Sequence, residues 1–318
     1  MRLTLTRSRS LALFAGGAAA CALTSRARAQ TTTLHIATAP IENAADAYYA
    51  QDMGFFARAG FDVAIEPMQN GPATVAAIVS GAMDIGWGAV DVLAAVHGKN
   101  IPVTIIAPSA EYLFPTTERV AAVLVPPASP VQRASDLNGK IVAVVGLNTV
   151  QETVTRAWID KTGGDSSTVK FIEIPLPAMP AALGAGRVDA ARVTEPFIGV
   201  ALKNGSRVLA YGGDAISKHY LLGAWFTTLQ WAKNHPAVVS RFAAAIHGAA
   251  VWANTNPAKC AEILAKYLKI DPAVIATMAR AHFAEQLTPA LMQPLIDASA
   301  KYMGFTAFPA SDLIYVAH

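Results

Sequence analysis

The stretch Ala181-Ala-Leu-Gly-Ala-Gly-Arg-Val-Asp-Ala-Ala-Arg-Val-Thr-Glu-Pro-Phe197 predicts a helix, a tight turn and a buried strand in succession. An earlier stretch, Ala76-Ala-Ile-Val-Ser-Gly-Ala-Met-Asp-Ile-Gly86, has the same Ala-Ala pair, turn glycine and aspartate at the same spacing. The chain therefore contains two copies of one structural unit.

The glycine and the aspartate of each copy have structural explanations. Gly81 and Gly186 follow a predicted helix at the position where a positive φ is needed, which glycine adopts without a Cβ clash. Asp84 and Asp189 then open the strands, where a short carboxylate can accept hydrogen bonds from the backbone of the turn. We expect both aspartates to be structural and ligand contacts to come after the carboxyl ends of the strands.

The similarity extends over a whole strand-helix-strand-helix-strand unit, which is a stronger signal than the shared glycine and aspartate alone. The predicted strands are Leu34–Ala39, Phe61–Met68 and Met83–Gly86 in the first copy, and Ile141–Val145, Val169–Ile174 and Val188–Val193 in the second. Strands that alternate with helices in this way are typical of a parallel sheet. The two copies predict two α/β lobes.

After the second copy, the strand Leu221–Thr228 is predicted to return to the first lobe, and only helices are predicted beyond it. Each of the four helices opens at or near a proline, and the third is predicted to span Pro272–Phe283. We therefore predict an α/β protein with a helical C-terminal tail. Residues 30–120 and 222–318 are assigned to lobe 1, and residues 121–221 to lobe 2.

Residues 1–29 have the features of a signal peptide. Basic residues come first, an apolar run follows from Leu11 to Leu23, and Ala27-Arg28-Ala29 forms a small-x-small cleavage site. The apolar run is too short to span a bilayer, so we expect export to the periplasm and a mature chain that begins at Gln30. A partial twin-arginine motif at residues 6–11 and an incomplete lipoprotein box ending at Cys21 stay open as alternatives.

The positive net charge of +3 belongs to this leader, because residues 1–29 contain five arginines and no acidic residue. Outside the leader, 25 − 5 = 20 lysines and arginines stand against 22 aspartates and glutamates. The electrostatic basis for binding nucleic acid is therefore missing, and we expect no nucleic-acid partner.

No catalytic constellation is visible in the sequence. The 7 histidines show no metal-ligand spacing, and neither a nucleophile elbow nor a phosphate-binding loop occurs. Cys260 is the single cysteine outside the leader, so no intrachain disulfide is expected. We expect no catalytic residue, no metal and no cofactor, which favours binding over chemistry.

Five motifs occur in order along the chain: Tyr49–Phe56, Ala59–Val63, Ser80–Gly86, Asp136–Lys140, and Gly186–Ala190 followed by Glu195-Pro196-Phe197. Together they resemble the ABC-importer periplasmic substrate-binding proteins of the group that includes taurine, aliphatic sulfonate, nitrate and pyrimidine-precursor binders (NMT1/THI5-like). The resemblance covers most of the chain and implies a type II periplasmic binding fold, with two α/β lobes and a ligand cleft between them.

The resemblance also implies a function. A monomeric protein of this kind binds a small organic solute in the cleft, closes over it and delivers it to the membrane permease of an ABC transporter. The alternative is an enzyme on the same fold, resembling thiamin-precursor synthases or menaquinone-pathway lyases, against which the signal peptide argues. The sequence does not separate transport from a sensing role on a receptor.

Ligand contacts are expected from loops that follow the parallel strands of both lobes. Trp87 and Glu195 follow equivalent strands of the two copies, so we expect them to face each other across the cleft. The full set of candidate ligand-binding residues is Ile41, Glu42, Asn43, Gly71, Pro72, Trp87, Gly88, Asn148, Thr149, Thr194, Glu195 and Trp225.

The sequence leaves the charge of the ligand open. Three of the loops lead into helix N-termini, which favour an anion, whereas Glu42 and Glu195 favour an amine or amidine. Glu195 has a structural alternative, since an acid there stabilises the first turn of its own helix. Trp87 is predicted to offer a ring face for stacking, with core packing as its alternative. Trp225 and Phe226 are neighbours in a predicted strand and point to opposite faces of the sheet, so only one of them can reach the cleft.

Overall fold

The computed structural model describes residues 31–268 and 270–316, and the predicted leader at residues 1–29 lies outside them. The strands are β1 (Thr32–Thr38), β2 (Phe61–Pro67), β3 (Ile85–Ala89), β4 (Val103–Pro108), β5 (Ala110–Leu113), β6 (Ala121–Val125), β7 (Ile141–Val144), β8 (Lys170–Glu173), β9 (Ala190–Thr194), β10 (Arg207–Ala210), β11 (His219–Leu221), β12 (Gly223–Thr228) and β13 (His282–Phe283). The helices are α1 (Asp46–Asp52), α2 (Phe55–Arg58), α3 (Gly71–Val79), α4 (Val90–His97), α5 (Val150–Lys161), α6 (Met179–Gly184), α7 (Phe197–Lys203), α8 (Leu229–Asn234), α9 (Pro236–Thr255), α10 (Pro257–Leu268), α11 (Pro272–Thr277) and α12 (Pro289–Met303).

Two five-stranded sheets have the same topology, as the internal repeat predicts. The first sheet has the order β2-β1-β3-β12-β4, and the second has the order β8-β7-β9-β6-β10. In each sheet the three strands of the repeated unit are parallel, and the strand beside them is antiparallel. The chain enters the second sheet by β6 and returns to the first by β12. These two strands therefore occupy equivalent positions, beside β9 and β3. The lobe boundaries at residues 120/121 and 221/222 stay a prediction.

The turn of the repeat is built as the sequence indicates, with φ of 76° at Gly81 and 62° at Gly186. Both aspartates are structural, but they bind a neighbouring strand and not their own turn. Asp84 accepts a hydrogen bond from the N–H of His35 at 2.8 Å, and Asp189 accepts one from the N–H of Ile141 at 2.9 Å. The strands β3 and β9 begin at the residues that directly follow these aspartates.

A third sheet, with the order β11-β5-β13, was not predicted from the sequence. Its strands are two to four residues long, which is too short to show an alternating pattern. The prediction of a helix over Pro272–Phe283 is wrong beyond Thr277. There the N–H of Ala281 binds the carboxylate of Glu42 at 3.0 Å, and the N–H of Phe283 binds Asn254 at 2.9 Å, so distant side chains replace the helical acceptors.

The second sheet has a separate apolar cluster on each face, as strand alternation requires. Ala191 and Val193 of β9 pack in one cluster, whereas Ala190 packs with Trp158 and Ile159 of α5 in the other. Residues at positions 190, 192 and 194 therefore point toward α5. Within residues 31–268 and 270–316, the helices lack the length and apolar character needed to cross a bilayer.

Candidate functional site between the two sheets

A cavity of about 300 Å³ lies between the carboxyl ends of the parallel strands of the two sheets, and we call it the cleft cavity. The first sheet contributes the loops after β1 and β2 and the side chain of Trp87. The second sheet contributes the start of α5, the end of β9 and residues 175–177. Six of the predicted residues line it: Ile41, Asn43, Gly71, Trp87, Thr149 and Thr194. Parallel α/β folds bind ligands in this position.

The lining of the cleft cavity is mainly apolar and contains no charged side chain among the described residues. Its polar side chains are largely engaged with each other or with the backbone. Gln151 accepts a hydrogen bond from the N–H of Val145 at 2.7 Å and donates one to Thr194 at 3.2 Å. The buried Oδ1 atom of Asn43, a hydrogen-bond acceptor, has no partner within the described residues.

Trp87 lies within β3 and not after it, because the strand continues to Ala89 and does not end at Gly86 as predicted. Its side chain is 7% exposed and forms part of the cavity wall. The indole N–H donates to Ser109 Oγ at 3.1 Å, and the hydroxyl of Ser109 donates to the backbone oxygen of Asn43 at 3.3 Å. The ring lies against Gly223, where an added Cβ would come within 2.3 Å of it. Trp87 thus has a fixed orientation beside the cavity.

Glu42 and Glu195 do not line the cleft cavity, which corrects their predicted placement. Glu42 is fully buried, pairs with Arg280 at 3.1 Å and accepts the N–H of Ala281 at 3.0 Å. Glu195 accepts the N–H of Ala279 at 3.3 Å and that of Gly199 at 3.4 Å. The last contact is within the first turn of its own helix, as the structural alternative for Glu195 predicts.

Both carboxylates line a second cavity of about 520 Å³, which we call the charged cavity. The side chains of Arg119 and Arg280 also line it, together with residues of α7 and of the segment after α11. Burial raises the pKa of Glu42 to about 7, although Arg280 opposes the shift. Burial also raises the pKa of Glu195, although hydrogen bonds from the backbone N–H groups of Ala279 and Gly199 oppose the shift. Trp87 and Glu195 therefore border different cavities, and the prediction that they face each other is wrong.

Neither Trp225 nor Phe226 lines the cleft cavity, so the expectation that one of them reaches it is also wrong. Trp225 is fully buried, donates its indole N–H to Asp46 at 2.8 Å and packs edge-on against Phe242 of α9. Phe226 packs beneath Gly88, whose added Cβ would lie 3.1 Å from its ring. Gly88 consequently faces the core. Helix α9 packs against the Trp225 face of β12, a contact between distant segments that strand alternation does not predict.

Two further candidates lie near the cleft without lining it. Pro72 is exposed in the first turn of α3, behind the capping residue Asn70. Asn148 is exposed with a φ of 55°, and its N–H donates to Glu152 at 2.8 Å. Both residues have a local structural function, which is to start a helix.

Three polar lining residues, Gln69, Asn70 and Gln151, are not among the predicted ligand contacts. Asn70 caps α3, since its Oδ1 accepts the N–H of Ala73 at 3.0 Å. Its amide also donates to Glu173, at the end of β8, at 3.4 Å, which joins the two sides of the cleft. The position of Gln151 at the start of a helix that follows a parallel strand was the signal that could have identified it.

The chain matches the family model described as NMT1/THI5 like over residues 41–260. A provisionally named binding protein of Brucella abortus is 25% identical over 236 residues, which are 73% of this chain and 70% of that protein. The alkanesulfonate-binding protein SsuA from Xanthomonas axonopodis pv. citri, bound to MOPS, has a TM-score of 0.72 at 18% identity, over 90% of this chain and 99% of that one. The desulfurization enzyme DszB has a TM-score of 0.63 at 15% identity, over 89% of this chain and 96% of that one.

Two sheets of the same topology with a ligand-sized cavity between their carboxyl ends define a two-lobe α/β protein with the type II periplasmic binding fold. The chain belongs to the NMT1/THI5-like family. Because a binding protein and an enzyme share the fold, the fold alone does not decide between binding and catalysis.

Proposed function

We propose that this protein is the periplasmic solute-binding component of an ABC importer, which captures a small organic molecule in the cleft cavity and delivers it to a membrane permease. The observation that carries the proposal is the uncharged, mainly apolar cavity of about 300 Å³ at the junction of the two repeated sheets. The family match adds support. Export by residues 1–29 and a monomeric state are parts of the same proposal.

The lining of the cleft cavity favours a ligand with an apolar body. Leu176, Phe197 and the ring of Trp87 supply apolar surface, and Asn43 and Thr194 supply a few polar contacts that can orient the ligand. Sites for small molecules have this composition, with few polar groups in a mainly apolar wall. The amine hypothesis relied on Glu42 and Glu195, and it loses its basis because these carboxylates line the charged cavity.

Closure over the ligand is proposed to be a rotation of one lobe against the other about the crossings that precede β6 and β12. The hydrogen bond from Asn70 to Glu173 joins the first and second sheets at the mouth of the cleft. In this arrangement a bound solute contacts both lobes and favours the closed form over the open one.

The most nucleophilic side chain of the described residues does not favour the enzyme alternative. Burial raises the pKa of the Cys260 thiol to about 11, so the thiol is protonated at neutral pH. A thiolate, and not a thiol, is the reactive species of cysteine. Cys260 borders the charged cavity and not the cleft cavity.

The proposal is tested by measuring the melting temperature of the mature protein with a panel of small sulfonates, carboxylates, amines and pyrimidines. A ligand that binds the folded state raises the melting temperature by mass action. The proposal predicts that at least one solute does so, and that calorimetric titration gives one site per chain.

Two variants place the site. Ile41→Trp fills the cleft cavity and should abolish stabilisation by that solute. Ile65→Trp is the matched control, since Ile65 is equally half-buried on β2 and does not line the cavity. Failure of every solute in the panel, or equal loss of binding in both variants, would contradict the proposal.

A further inference from the structure

Arg192, in the middle of β9, is a buried arginine without an acidic partner. The residue is 5% exposed, and its guanidinium forms no ion pair with a carboxylate of the described residues. It donates to the backbone oxygen of Tyr211. Burial lowers the pKa of Arg192 to about 10, which leaves the group charged at neutral pH. An unpaired buried charge is costly in free energy, so this arginine requires an explanation.

Arg192 lines a cavity of about 40 Å³ that adjoins the cleft cavity, and we call it the hinge pocket. Tyr112 of β5 and Tyr220 of β11, both in the third sheet, also line it. Five residues line both cavities: Asn43, Val150, Gln151, Thr194 and Leu222. The two cavities therefore share a wall, and Arg192 lies on the far side of it from the cleft cavity.

The start of α5 also favours negative charge in the hinge pocket. Val150 and Gln151 form the first turn of α5, a helix of 12 residues whose N-cap Thr149 makes no side-chain capping bond. The first N–H groups of a helix carry partial positive charge. Glu152 in the same turn is already paired with Arg156 at 2.7 Å. Glu118 lines the hinge pocket as well, but it forms no ion pair with Arg192.

We propose that the ligand is an apolar carboxylic acid, whose carboxylate enters the hinge pocket beside Arg192 while its apolar body occupies the cleft cavity. This inference rests on the binding function proposed above. It makes Arg192 the residue that selects the head group of the ligand, and it explains why a buried arginine lacks an acid of its own chain.

The size of the hinge pocket favours a carboxylate over a sulfonate. Its volume is about 40 Å³. A single water needs roughly 10 to 15 Å³ on the same measure, so the pocket holds about three or four water-sized groups. A planar carboxylate has three heavy atoms and can accept two parallel N–H bonds from a guanidinium. A sulfonate has four heavy atoms, which would take up the whole of this volume.

The test compares three probes that share one apolar body: 3-phenylpropanoate, 2-phenylethanesulfonate and 3-phenylpropanamide. Calorimetric titration of the mature protein should show the carboxylate binding about 10- to 100-fold more tightly than the amide, since hydrogen bonds between charged groups contribute more than neutral ones. The sulfonate should bind more weakly than the carboxylate. Equal affinity for the carboxylate and either of the other two probes, or no binding of the carboxylate, would overturn the inference.

Variants of Arg192 assign the effect to this side chain. Arg192→Met should remove the preference for the carboxylate, and Arg192→Lys should retain part of it. Arg207→Met is the matched control, because Arg207 is a half-buried arginine of the same sheet that donates to the backbone oxygens of Ser129 and Val131. It lines neither cavity, so the preference should persist in that variant.

If Arg192→Met does not fold, a variant that keeps Arg192 provides the test. Asn43→Asp puts a carboxylate at the border of the two cavities and should weaken 3-phenylpropanoate far more than the amide. If Asn43→Asp weakens both probes equally, or Arg192→Met keeps the preference, the inference is wrong. The two proposals can fail separately. If a panel solute without a carboxylate binds and its affinity does not depend on Arg192, the inference is wrong and the binding function stands. If no solute binds, the proposed function itself is refuted.

Discussion

The cleft cavity and the charged cavity lie on opposite sides of the same two backbone segments. In the first segment, Ile41 and Asn43 face the cleft cavity and Glu42 faces the charged cavity. In the second, Thr194 faces the cleft cavity and Glu195 the charged one. Adjacent residues thus separate an apolar wall from an ionic one, and the carboxylates of Glu42 and Glu195 lie outside the proposed site.

The two cavities also differ in their contacts with the C-terminal segment. In the charged cavity, the carboxylates of Glu195 and Glu42 accept the backbone N–H groups of Ala279 and Ala281, which belong to that segment. The lining of the cleft cavity includes no residue of the segment after α11. We infer that the charged cavity fixes the C-terminal segment to the rest of the chain, and that the cleft cavity is the one open to a ligand.

The largest expected effect comes from Arg280→Met, which leaves the buried Glu42 without its cation. Removing one partner of a buried pair costs about 3 to 5 kcal/mol of unfolding free energy. The pKa of Glu42 is raised from 4.5 to about 7, so its ionisation in the folded state costs stability as pH rises through that window. Urea unfolding should therefore show a greater loss for Arg280→Met at about pH 8.5 than at about pH 5.

The control for this variant is Lys203→Met, which breaks the exposed pair of Lys203 with Asp271 at 3.3 Å. Exposed pairs contribute about 1 kcal/mol or less. Affinity for the cleft ligand should be unchanged in both variants. A loss for Arg280→Met that is equal at both pH values would show that Glu42 is not its cause.

The next effect concerns the cleft wall. In Gly223→Ala the new Cβ would lie 2.3 Å from the ring of Trp87, so the ring must move. Overpacking of this kind costs about 1 to 3 kcal/mol, and the moved ring should also weaken binding of the cleft ligand. Gly248→Ala is the control, since its Cβ would meet Phe55 at 2.9 Å and Gly248 does not line the cleft cavity. Unfolding in urea and calorimetric titration measure the two quantities, and unchanged affinity in Gly223→Ala would show that Trp87 does not shape the site.

The smallest effect is expected for Glu195→Gln, because the carboxylate faces the charged cavity. The variant keeps one acceptor for the N–H groups of Gly199 and Ala279, so the unfolding free energy should fall by about 1 kcal/mol or less. Affinity for the cleft ligand should change by no more than about twofold, as expected for independent sites. Calorimetric titration decides this, and a tenfold or larger change would place Glu195 in the ligand site after all.

The internal repeat explains why much of the fold could be predicted. A glycine that needs positive φ and alternating strands and helices are local features, so Gly81 and Gly186 could be interpreted from sequence alone. The structural role of Asp84 and Asp189 was also predicted, but their partners are distant in the chain and were not. The family motifs then indicated the cleft between the lobes. The third sheet could not be predicted, because its pairs join segments that are far apart in the chain and very short.

The two repeated α/β units and the loops from which the site is built could be predicted from the amino-acid sequence, since both follow from local backbone geometry and hydrophobic periodicity. Which side chains of those loops face the cleft depends on tertiary contacts. Glu195 and Glu42 turn away from it, and their carboxylates accept the N–H groups of residues 279 and 281. Trp225 is buried because α9 covers it, and Arg192 gains its significance only from the pocket around it. Each of these outcomes depends on contacts between distant parts of the chain, and local sequence carries no record of them.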